Sequence, residues 1–429
     1  MCHSQSSYPS YRWIMLIVMM ALTVAIEMQW LTHAAVARPA EAFYSHQIEH
    51  HSWLSIDNLA LTYMIMYVVL ALPASWVIAR HGLKYGLQIG ALMTGAFSLL
   101  KGFCGENLTI VTIAQLGLAA AQPFILNAVT TLTDQWFPVK ERAMTAGLTV
   151  FAQFVGILLA VVVTPMMVVT NPADVNYGQG LSSALMLYGM ISGITAVFAL
   201  LLVRHPPAFA DTRIPPKTLF APDALVTLLK NHDMQIGLFL FMVGLGIFNA
   251  IGSLTDAISA SLNIEDSDGL IATMMLLGGM LGSVILPVCS DVFQRRKSIL
   301  IICVVGMLPG LAGLAFAGDL SPSPDTVYVI ALCSTTILGF FVLGSGPVGF
   351  QYIAEVTRPV PEAFSQGLVL LAGQISGMFL VVSMTINNHQ WLSFLLQAFV
   401  GVTLVCLGAV LALRESPVVM TAYHDENQR

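Results

Sequence analysis

The chain contains 429 residues, of which 57% are hydrophobic and only 9% are charged, and its formal net charge is −6. Soluble domains carry roughly 25% charged residues, so this sequence cannot cover a water-facing surface. Most of its exterior is therefore expected to face lipid. No stretch of clustered lysine and arginine points to nucleic acid as a partner, which excludes that class of function.

Twelve apolar segments of membrane-spanning length follow one another along the sequence. The first, from Trp13 to Val36, exceeds the roughly 7–15 residues of a signal-peptide core, so it is expected to remain as a membrane span. The predicted spans are 13–36, 55–79, 87–103, 109–133, 143–170, 181–203, 234–261, 269–290, 298–318, 326–350, 363–386 and 391–413. The sequence thus predicts an all-α membrane protein with twelve transmembrane helices.

The longest polar interruption runs from Arg204 to Asp233 and contains several prolines. It divides the chain into an N-terminal six-helix bundle at 1–203, a cytoplasmic linker at 204–233, and a C-terminal six-helix bundle at 234–429 with a short cytoplasmic tail. On this topology every lysine and arginine except Arg38 and Lys101 lies on one side. Because cytoplasmic loops are enriched in positive charge, both termini are predicted to be cytoplasmic, in the cell (inner) membrane.

The two predicted bundles resemble each other in sequence. Gln153 and Gly156 in the fifth span recur as Gln374 and Gly377 in the eleventh, at an offset of 221 residues. The segment 138–141 has a counterpart at 359–362 with the same offset. Constant offsets across several helices indicate a duplication in parallel orientation, which is common among transporters.

The loops after the second and eighth spans resemble the signature of the major facilitator superfamily, roughly G-x-x-x-D-R-x-G-R-R. The first loop departs from it at Ser75 and Ala79, where glycine and aspartate are usual. The resemblance implies two pseudo-symmetric bundles that open alternately, with loop charges latching the cytoplasmic helix ends. The candidate gating residues are Arg80, Gly82, Lys84, Asp291, Arg295 and Arg296. The alternative is that these residues only anchor the loops at the cytoplasmic face.

Ionisable residues within apolar spans are expensive in lipid and indicate function. Glu27 is the deepest of them, and Trp30 follows one turn later on nearly the same helix face. A carboxylate beside an indole face suits a cation, and a buried carboxylate also suits proton coupling. The alternative is that Glu27 is structurally paired with another helix. Asp256, further toward the outside in the seventh span, is a second candidate for proton coupling or an exit gate.

Further polar and aromatic side chains in the spans are candidates for the substrate site. Gln122 precedes Pro123, which breaks the helical hydrogen-bond pattern and frees backbone carbonyls near the midplane. Gln153 and Gln374 lie beside glycines that allow close helix approach. The remaining candidates are Tyr63, Tyr67, Asn127 and Asn249, although the two tyrosines could serve packing alone.

Several short stretches spread over most of the chain resemble the feline leukaemia virus subgroup C receptor family. They are Tyr11-Arg12-Trp13, Gln29-Trp30, 121–126, 136–137, 141–142, 347–350, 355–357 and 361–368. The resemblance implies a carrier of choline or ethanolamine, with a quaternary ammonium held by Trp30, Gln122 and Gln374; haem export has also been ascribed to the family. Asn249 stands where that family has a tyrosine, and Glu27 where a neutral residue is usual.

These observations predict a transporter of a small organic cation, choline-like, that works by alternating access as a facilitative carrier or by symport or antiport with protons. The alternatives are a proton-coupled vitamin exporter, a multidrug exporter, and a haem or porphyrin carrier with His33 as an axial ligand. No catalytic constellation occurs at membrane depth in the sequence, so an enzyme is not expected. The partners are the substrate, the lipid bilayer and protons, and the protein is expected to be a monomer.

The segment with His46, Glu49, His50 and His51 contains metal-ligand residue types. No second ligand cluster accompanies it in the sequence, so a wet external loop without a metal is expected. No cofactor is predicted.

Overall fold

The computed structural model describes residues 9–50, 56–207, 221–253, 258–259, 261–264, 269–386 and 392–420. Within those ranges the chain forms helices joined by short turns and contains no strand. Twelve long helices occur in the described ranges, one in each predicted span. They are α1 (Arg12–Leu31), α2 (Ile56–His81), α3 (Leu83–Phe103), α4 (Leu108–Leu126), α5 (Arg142–Met167), α6 (Leu181–Leu202), α7 (His232–Ser253), α8 (Leu270–Phe293), α9 (Arg296–Ala315), α10 (Pro324–Val356), α11 (Glu362–Ile386) and α12 (Leu392–Ala412).

Eleven segments of the described chain are long and apolar enough to cross a membrane. The twelfth long helix, α3, is more polar because it carries Lys84, Gln88 and Lys101. The predicted class, an all-α membrane protein with twelve transmembrane helices, is confirmed. Short helices connect some of the long ones, and they are Ala34–Val36, Ala37–Phe43, Ser45–His50, Val129–Trp136, Val139–Glu141, Ala221–Lys230 and Ala317–Leu320.

The first predicted span extends past the end of its helix. We expected one helix over 13–36, but α1 ends at Leu31 and the chain continues through two short helical segments to Phe43. The apolar pattern persists because Val36, Ala40 and Tyr44 are buried in a separate cluster. An apolar pattern indicates that these residues are buried, but it does not reveal where the first helix ends.

The fourth span is also interrupted. The helix α4 ends at Leu126, two residues of turn follow, and Val129–Trp136 forms a separate short helix. Pro123 lies in the last turn of α4, and proline removes one backbone donor and disfavours a regular helix. Asn127 lies in this turn, and its side-chain amide contacts α2.

The chain forms two compact units. Unit 1 comprises Met1–Trp136 and Ala152–Thr218, and unit 2 comprises Phe137–Phe151 and Leu219–Arg429. The helix α5 therefore contributes its first residues to unit 2 and the rest to unit 1. The domain boundaries at 203 and 234 stay a prediction, and the predicted linker includes the short helix Ala221–Lys230.

Glycines bring helices into close contact within each unit. In unit 1, a Cβ at Gly189 of α6 would lie 2.6 Å from the carbonyl oxygen of Ser98 in α3. In unit 2, a Cβ at Gly344 of α10 would lie 2.7 Å from the backbone of Gly282 in α8. Small residues at such crossings are the usual means by which membrane helices pack closely.

Candidate substrate-binding site

Glu27 is the centre of a hydrogen-bond network that joins three helices of unit 1. Its Oε1 atom accepts hydrogen bonds from Nε2 of Gln122 in α4, at 3.0 Å, and from Nε2 of Gln153 in α5, at 3.3 Å. The residue is fully buried, and its second oxygen, Oε2, is buried without a hydrogen-bond partner in the described chain. The carboxylate is therefore held firmly on one side and leaves an acceptor available on the other.

Gly156 explains how Gln153 reaches Glu27. A Cβ at position 156 would lie 2.6 Å from the carbonyl oxygen of Val24 and 3.0 Å from the Cβ of Glu27. Only glycine allows α5 to approach α1 this closely. The predicted role of this glycine as a close-packing residue beside Gln153 is confirmed by that contact.

Trp30 lies one turn after Glu27 on α1. Its half-buried ring stacks on the ring of Tyr63 in α2, with centroids 6.2 Å apart and planes inclined by 30°. Tyr63 itself is buried, and its hydroxyl group has no hydrogen-bond partner among the described residues. The carboxylate of Glu27 lies close enough to act electrostatically on this hydroxyl group. An indole face, a phenol and a carboxylate oxygen therefore occur together on one side of α1.

Tyr67 and Asn127, which the sequence analysis also proposed for the cavity, bond to each other. The hydroxyl group of Tyr67 donates to Oδ1 of Asn127. The Nδ2 group of Asn127 in turn donates to the carbonyl oxygen of Ala71 at 2.9 Å and to Oγ of Ser75 at 3.0 Å. Both residues are buried, and together they join α2 to the break that follows α4. Their hydrogen bonds serve this connection.

Unit 2 contains the related positions Asn249 and Gln374. The Cβ of Asn249 lies 3.0 Å from the position that a Cβ on Gly377 would occupy, so α11 packs closely on α7. Gln374 is half-buried, and its Oε1 atom is buried without a hydrogen-bond partner in the described part of unit 2. Asp256, the other acidic candidate, lies outside the described residues. The contact of Asn249 with Gly377 repeats the contact of Glu27 with Gly156, as the predicted duplication requires.

The acidic member of the second signature loop forms a buried network in unit 2. Oδ1 of Asp291 accepts from Arg296 at 2.5 Å, and Oδ2 accepts from the backbone N–H of Met144 at 2.7 Å. Arg296 also forms a salt bridge with Glu355 at 3.2 Å and donates to the carbonyl oxygen of Val139 at 3.2 Å. Met144 lies in the first turn of α5, where backbone N–H groups have no intrahelical partner. Asp291 thus caps a helix whose position Arg296 also constrains.

The first signature loop is built differently. Arg80 is exposed and lies over the ring of Trp76, 5.4 Å from its centroid. Gly82 has a φ of +94° and immediately precedes α3, whose first turn contains Lys84. Arg295, the remaining gating candidate, is exposed and immediately precedes α9. No buried ion pair like that of Arg296 is found at Arg80 in the described residues.

Two buried polar residues of unit 1, Lys101 and Gln115, were not named as site residues by the sequence analysis. Lys101, which was counted with the external charges, is instead fully buried, and its Nζ donates to Oε1 of Gln115 at 2.8 Å and to the carbonyl oxygen of Gln29 at 3.0 Å. A lysine inside an apolar helix was the available signal. His33 is also buried, and both of its ring nitrogens lack hydrogen-bond partners in the described chain.

The histidine-rich segment, which was predicted to be an external loop, lies only partly within the described residues. His46 is exposed, while the side chains of Glu49 and His50, together with His51, lie outside the described residues. No group of three potential metal ligands occurs elsewhere in the described residues.

The chain is similar in sequence to known transporter proteins over most of its length. The sequence profile of the Major Facilitator Superfamily matches residues 11–379. The chain is 26% identical over 396 residues to an uncharacterised MFS-type transporter of Caenorhabditis elegans, covering 89% of this chain but only 65% of that protein. It is 24% identical over 383 residues to the choline/ethanolamine transporter FLVCR2 of Homo sapiens, covering 87% of this chain and 71% of that one. For solute carrier family 49 member A3 of Danio rerio the identity is 27% over 377 residues, with coverages of 85% and 76%.

Solved structures share the fold at low sequence identity. The MFS transporter FucP in the outward conformation matches with a TM-score of 0.70 and 13% identity, covering 93% of this chain and 97% of that one. A bacterial homologue of the iron transporter ferroportin in an outward-facing state matches with a TM-score of 0.71 and 13% identity, covering 94% and 99%. These similarities establish the fold and carry no information about the substrate.

Proposed function

The chain belongs to the major facilitator superfamily, and we propose that it carries a small organic cation by alternating access, with Glu27 and Trp30 at the centre of its binding site. It is a membrane transporter and not an enzyme. One observation supports a cationic substrate above the others. Oε2 of Glu27 is buried without a partner, one helical turn before a half-buried indole ring.

The unpartnered Oε2 atom of Glu27 favours a positively charged substrate energetically. A buried polar atom without a partner loses about 1–3 kcal/mol, and more when it is charged. A cation beside Glu27 offsets this loss directly. Contact with the face of Trp30 adds about 0.5–2 kcal/mol through cation–π attraction. A neutral substrate would recover neither contribution, so the site is expected to select for positive charge.

The hydrogen bonds around Glu27 bear on the class of cation. The Nε2 group of Gln122 donates a hydrogen bond to Oε1 of Glu27, and Oε2 of Glu27 is the acceptor that remains without a partner in the described chain. A primary or secondary ammonium group can donate N–H to Oε2, whereas a quaternary ammonium has no hydrogen to donate. We therefore expect ethanolamine-like amines to be preferred over choline, although choline can still bind Trp30 through its charge. Within unit 2, Gln374 is proposed as a substrate-binding residue, because its Oε1 is buried without a partner among the described residues.

Proton coupling is a second part of the proposal. If a proton occupies Glu27 in one step of the cycle, proton and cation compete for the same oxygen, and transport becomes an exchange of one for the other. Asp256 remains a candidate for the same role. A facilitative carrier would use Glu27 only as a counter-charge, so its flux would not respond to a pH gradient.

For gating, we propose that the network of Asp291, Arg296 and Glu355 sets the position of the start of α5. Asp291 accepts from the backbone of Met144 in that helix. Displacement of this helix end would require breaking a charge-assisted hydrogen bond, which contributes about 1.5–3 kcal/mol. We further propose that both termini are cytoplasmic in the cell membrane and that the protein acts as a monomer.

The experiment that tests this function is uptake into proteoliposomes. Labelled ethanolamine, choline and pyridoxine are compared with and without a pH gradient, using wild-type protein and Glu27→Gln. We expect saturable uptake of the two cations and a loss of at least about tenfold in kcat/KM for Glu27→Gln, corresponding to about 1.4 kcal/mol. The matched control is Glu106→Gln, since Glu106 is an exposed carboxylate of unit 1.

Two outcomes would contradict the proposal. Cation uptake that is unchanged in Glu27→Gln would remove the counter-charge role, and an undiminished response of that variant to the pH gradient would remove its role in proton coupling. Uptake of pyridoxine with no uptake of cations would favour the vitamin exporter. The same assay with unrelated drug-like cations or a porphyrin tests the remaining alternatives.

A further inference from the structure

The helix that carries Glu27 and Trp30 ends inside unit 1. Its last residue is Leu31, while the apolar segment continues to Phe43. The last four carbonyl groups of any α-helix lack intrahelical partners. In a bundle that faces lipid, such groups must be satisfied by other parts of the protein.

Side chains from two other helices satisfy two of these four carbonyl groups, and Thr32 donates to a third, that of Met28. Nζ of Lys101 donates to the carbonyl oxygen of Gln29 at 3.0 Å, and Nε2 of Gln115 donates to that of Trp30 at 3.4 Å. Gln115 also donates to the carbonyl oxygen of Leu59 in α2 at 3.2 Å and accepts from Lys101 at 2.8 Å. The end of α1 is therefore bound to α2, α3 and α4 through this pair.

The environment of Lys101 is unusual for a lysine. The residue is fully buried, and within the described chain no carboxylate forms a salt bridge with it. Its ammonium group donates to two oxygen atoms, one from a backbone carbonyl and one from an amide. Lys101 belongs to the last turn of α3, and its ammonium group contacts the last turn of α1. A helix C-terminus carries a partial negative charge of roughly half an electron.

We infer that Lys101 is a tethered cation that occupies a cation site formed by the carbonyl oxygen of Gln29, at the C-terminal end of α1, and by Gln115, and that it thereby positions Trp30. Interrupted membrane helices in other transporters direct such carbonyl ends at inorganic cations. Here a side chain supplies the positive charge. Because Gln115 binds both Lys101 and the carbonyl oxygen of Trp30, loss of the ammonium group releases the indole from its position. The positioning part of this inference rests on the proposed function, whereas the cation site does not.

The first test measures thermal unfolding of the full chain in detergent, without any transport. We expect Lys101→Ala to lower Tm by roughly 4–8 °C, and methylammonium chloride to restore part of that loss in a saturable way. Lys101→Met is the matched control, because it fills the same volume without charge. Methylammonium is expected to restore none of its loss.

Wild-type protein is included because methylammonium could also bind at Glu27. The inference would be overturned if methylammonium raised the Tm of Lys101→Ala by no more than it raises the Tm of Lys101→Met and of wild type. If Lys101→Ala does not accumulate as folded protein, wild type alone still provides a test. Its Tm is expected to be equal in sodium, lithium and potassium chloride at one ionic strength, and a saturable rise specific to one of these ions would show that Lys101 does not fill the site.

A transport measurement addresses the positioning of Trp30. In Lys101→Ala we expect KM for the transported amine to rise by about tenfold, with a smaller change in kcat. Methylammonium is expected to lower the KM of this variant at a concentration that is too low to compete with the amine in wild type. A loss confined to kcat, with KM unchanged, would contradict positioning. If wild type transports no amine, the proposed function fails, while the unfolding measurements still decide the role of Lys101.

Discussion

The Cβ of Asn249 lies 3.0 Å from where a Cβ on Gly377 would lie, in a contact between α7 and α11. The Cβ of Glu27 lies at the same distance from the corresponding point on Gly156, in a contact between α1 and α5. The duplicated halves therefore keep one helix crossing and differ in the side chain placed there. The side chain at this crossing is a carboxylate in unit 1 and an amide in unit 2.

The first prediction concerns this crossing. Gly156→Ala places a methyl group 2.6 Å from the carbonyl oxygen of Val24, so α5 must move away from α1. Overpacking of this kind costs typically about 1–3 kcal/mol, and the hydrogen bond from Gln153 to Glu27 should lengthen. We expect a lower Tm and reduced uptake of the cation.

The control for that variant is Gly408→Ala in α12, where an added Cβ meets no atom within 4 Å. This substitution should be neutral or slightly stabilising, because alanine is a better helix former than glycine. Equal effects of the two substitutions on Tm would show that the crossing is not tightly packed.

The second prediction separates the two glutamines that hold Glu27. Gln122→Met removes the shorter hydrogen bond, at 3.0 Å, and Gln153→Met the longer one, at 3.3 Å. Hydrogen bonds to a charged group contribute about 1.5–3 kcal/mol, so we expect KM for the cation to change more in Gln122→Met. Concentration-dependent uptake measures it, with Gln88→Met as a control remote from the site. A larger effect of Gln153→Met would reverse the assignment.

The third prediction concerns the indole. Trp30→Phe keeps an aromatic face and should retain cation uptake with a modest rise in KM, whereas Trp30→Ala removes the face and about 0.5–2 kcal/mol of attraction. That loss corresponds to a rise in KM of roughly twofold to thirtyfold. Measurement of KM for ethanolamine and choline in both variants tests this. Equal losses in Trp30→Phe and Trp30→Ala would argue against cation–π attraction.

The fourth prediction compares two tyrosines that lie one turn apart on α2. Tyr67→Phe leaves Oδ1 of Asn127 without its donor and should lower the free energy of unfolding by about 1–3 kcal/mol. Tyr63→Phe removes a hydroxyl group that has no partner among the described residues. Its stability should change little, while its affinity for the cation should change if the hydroxyl group contacts the substrate. Thermal unfolding of both variants tests this, and a lower Tm for Tyr63→Phe than for Tyr67→Phe would contradict the two assigned roles.

The fifth prediction concerns Arg296. Removing one partner from a buried ion pair is strongly destabilising, by about 3–5 kcal/mol, because the other charge remains buried. Arg296→Met leaves Asp291 and Glu355 without their cation, and we expect one of the largest falls in Tm among single substitutions. Lys230→Met, at an exposed lysine of unit 2, is the control. A comparable Tm for the two variants would show that the ion pairs contribute little.

The sequence by itself determined the membrane class, the number of helices and the candidates in the site. Hydrophobic segment length is set by bilayer thickness, so twelve spans can be counted without coordinates. An isolated carboxylate such as Glu27 is conspicuous because charge in lipid is costly. The offset of 221 residues between Gly156 and Gly377 likewise predicts a repeated helix crossing, since small residues mark such crossings.

Only the tertiary structure decided which polar groups meet. Gln122 and Gln153 converge on the same oxygen of Glu27, while Asn127 bonds to Tyr67 and joins two helices. Hydropathy could not locate the end of α1, because the apolar segment continues past Leu31 to Phe43 and Val36, Ala40 and Tyr44 are buried. The sequence also placed Lys101 among the external charges, although it is buried. Its position depends on carbonyl groups of another helix, and backbone groups leave no trace in a side-chain pattern.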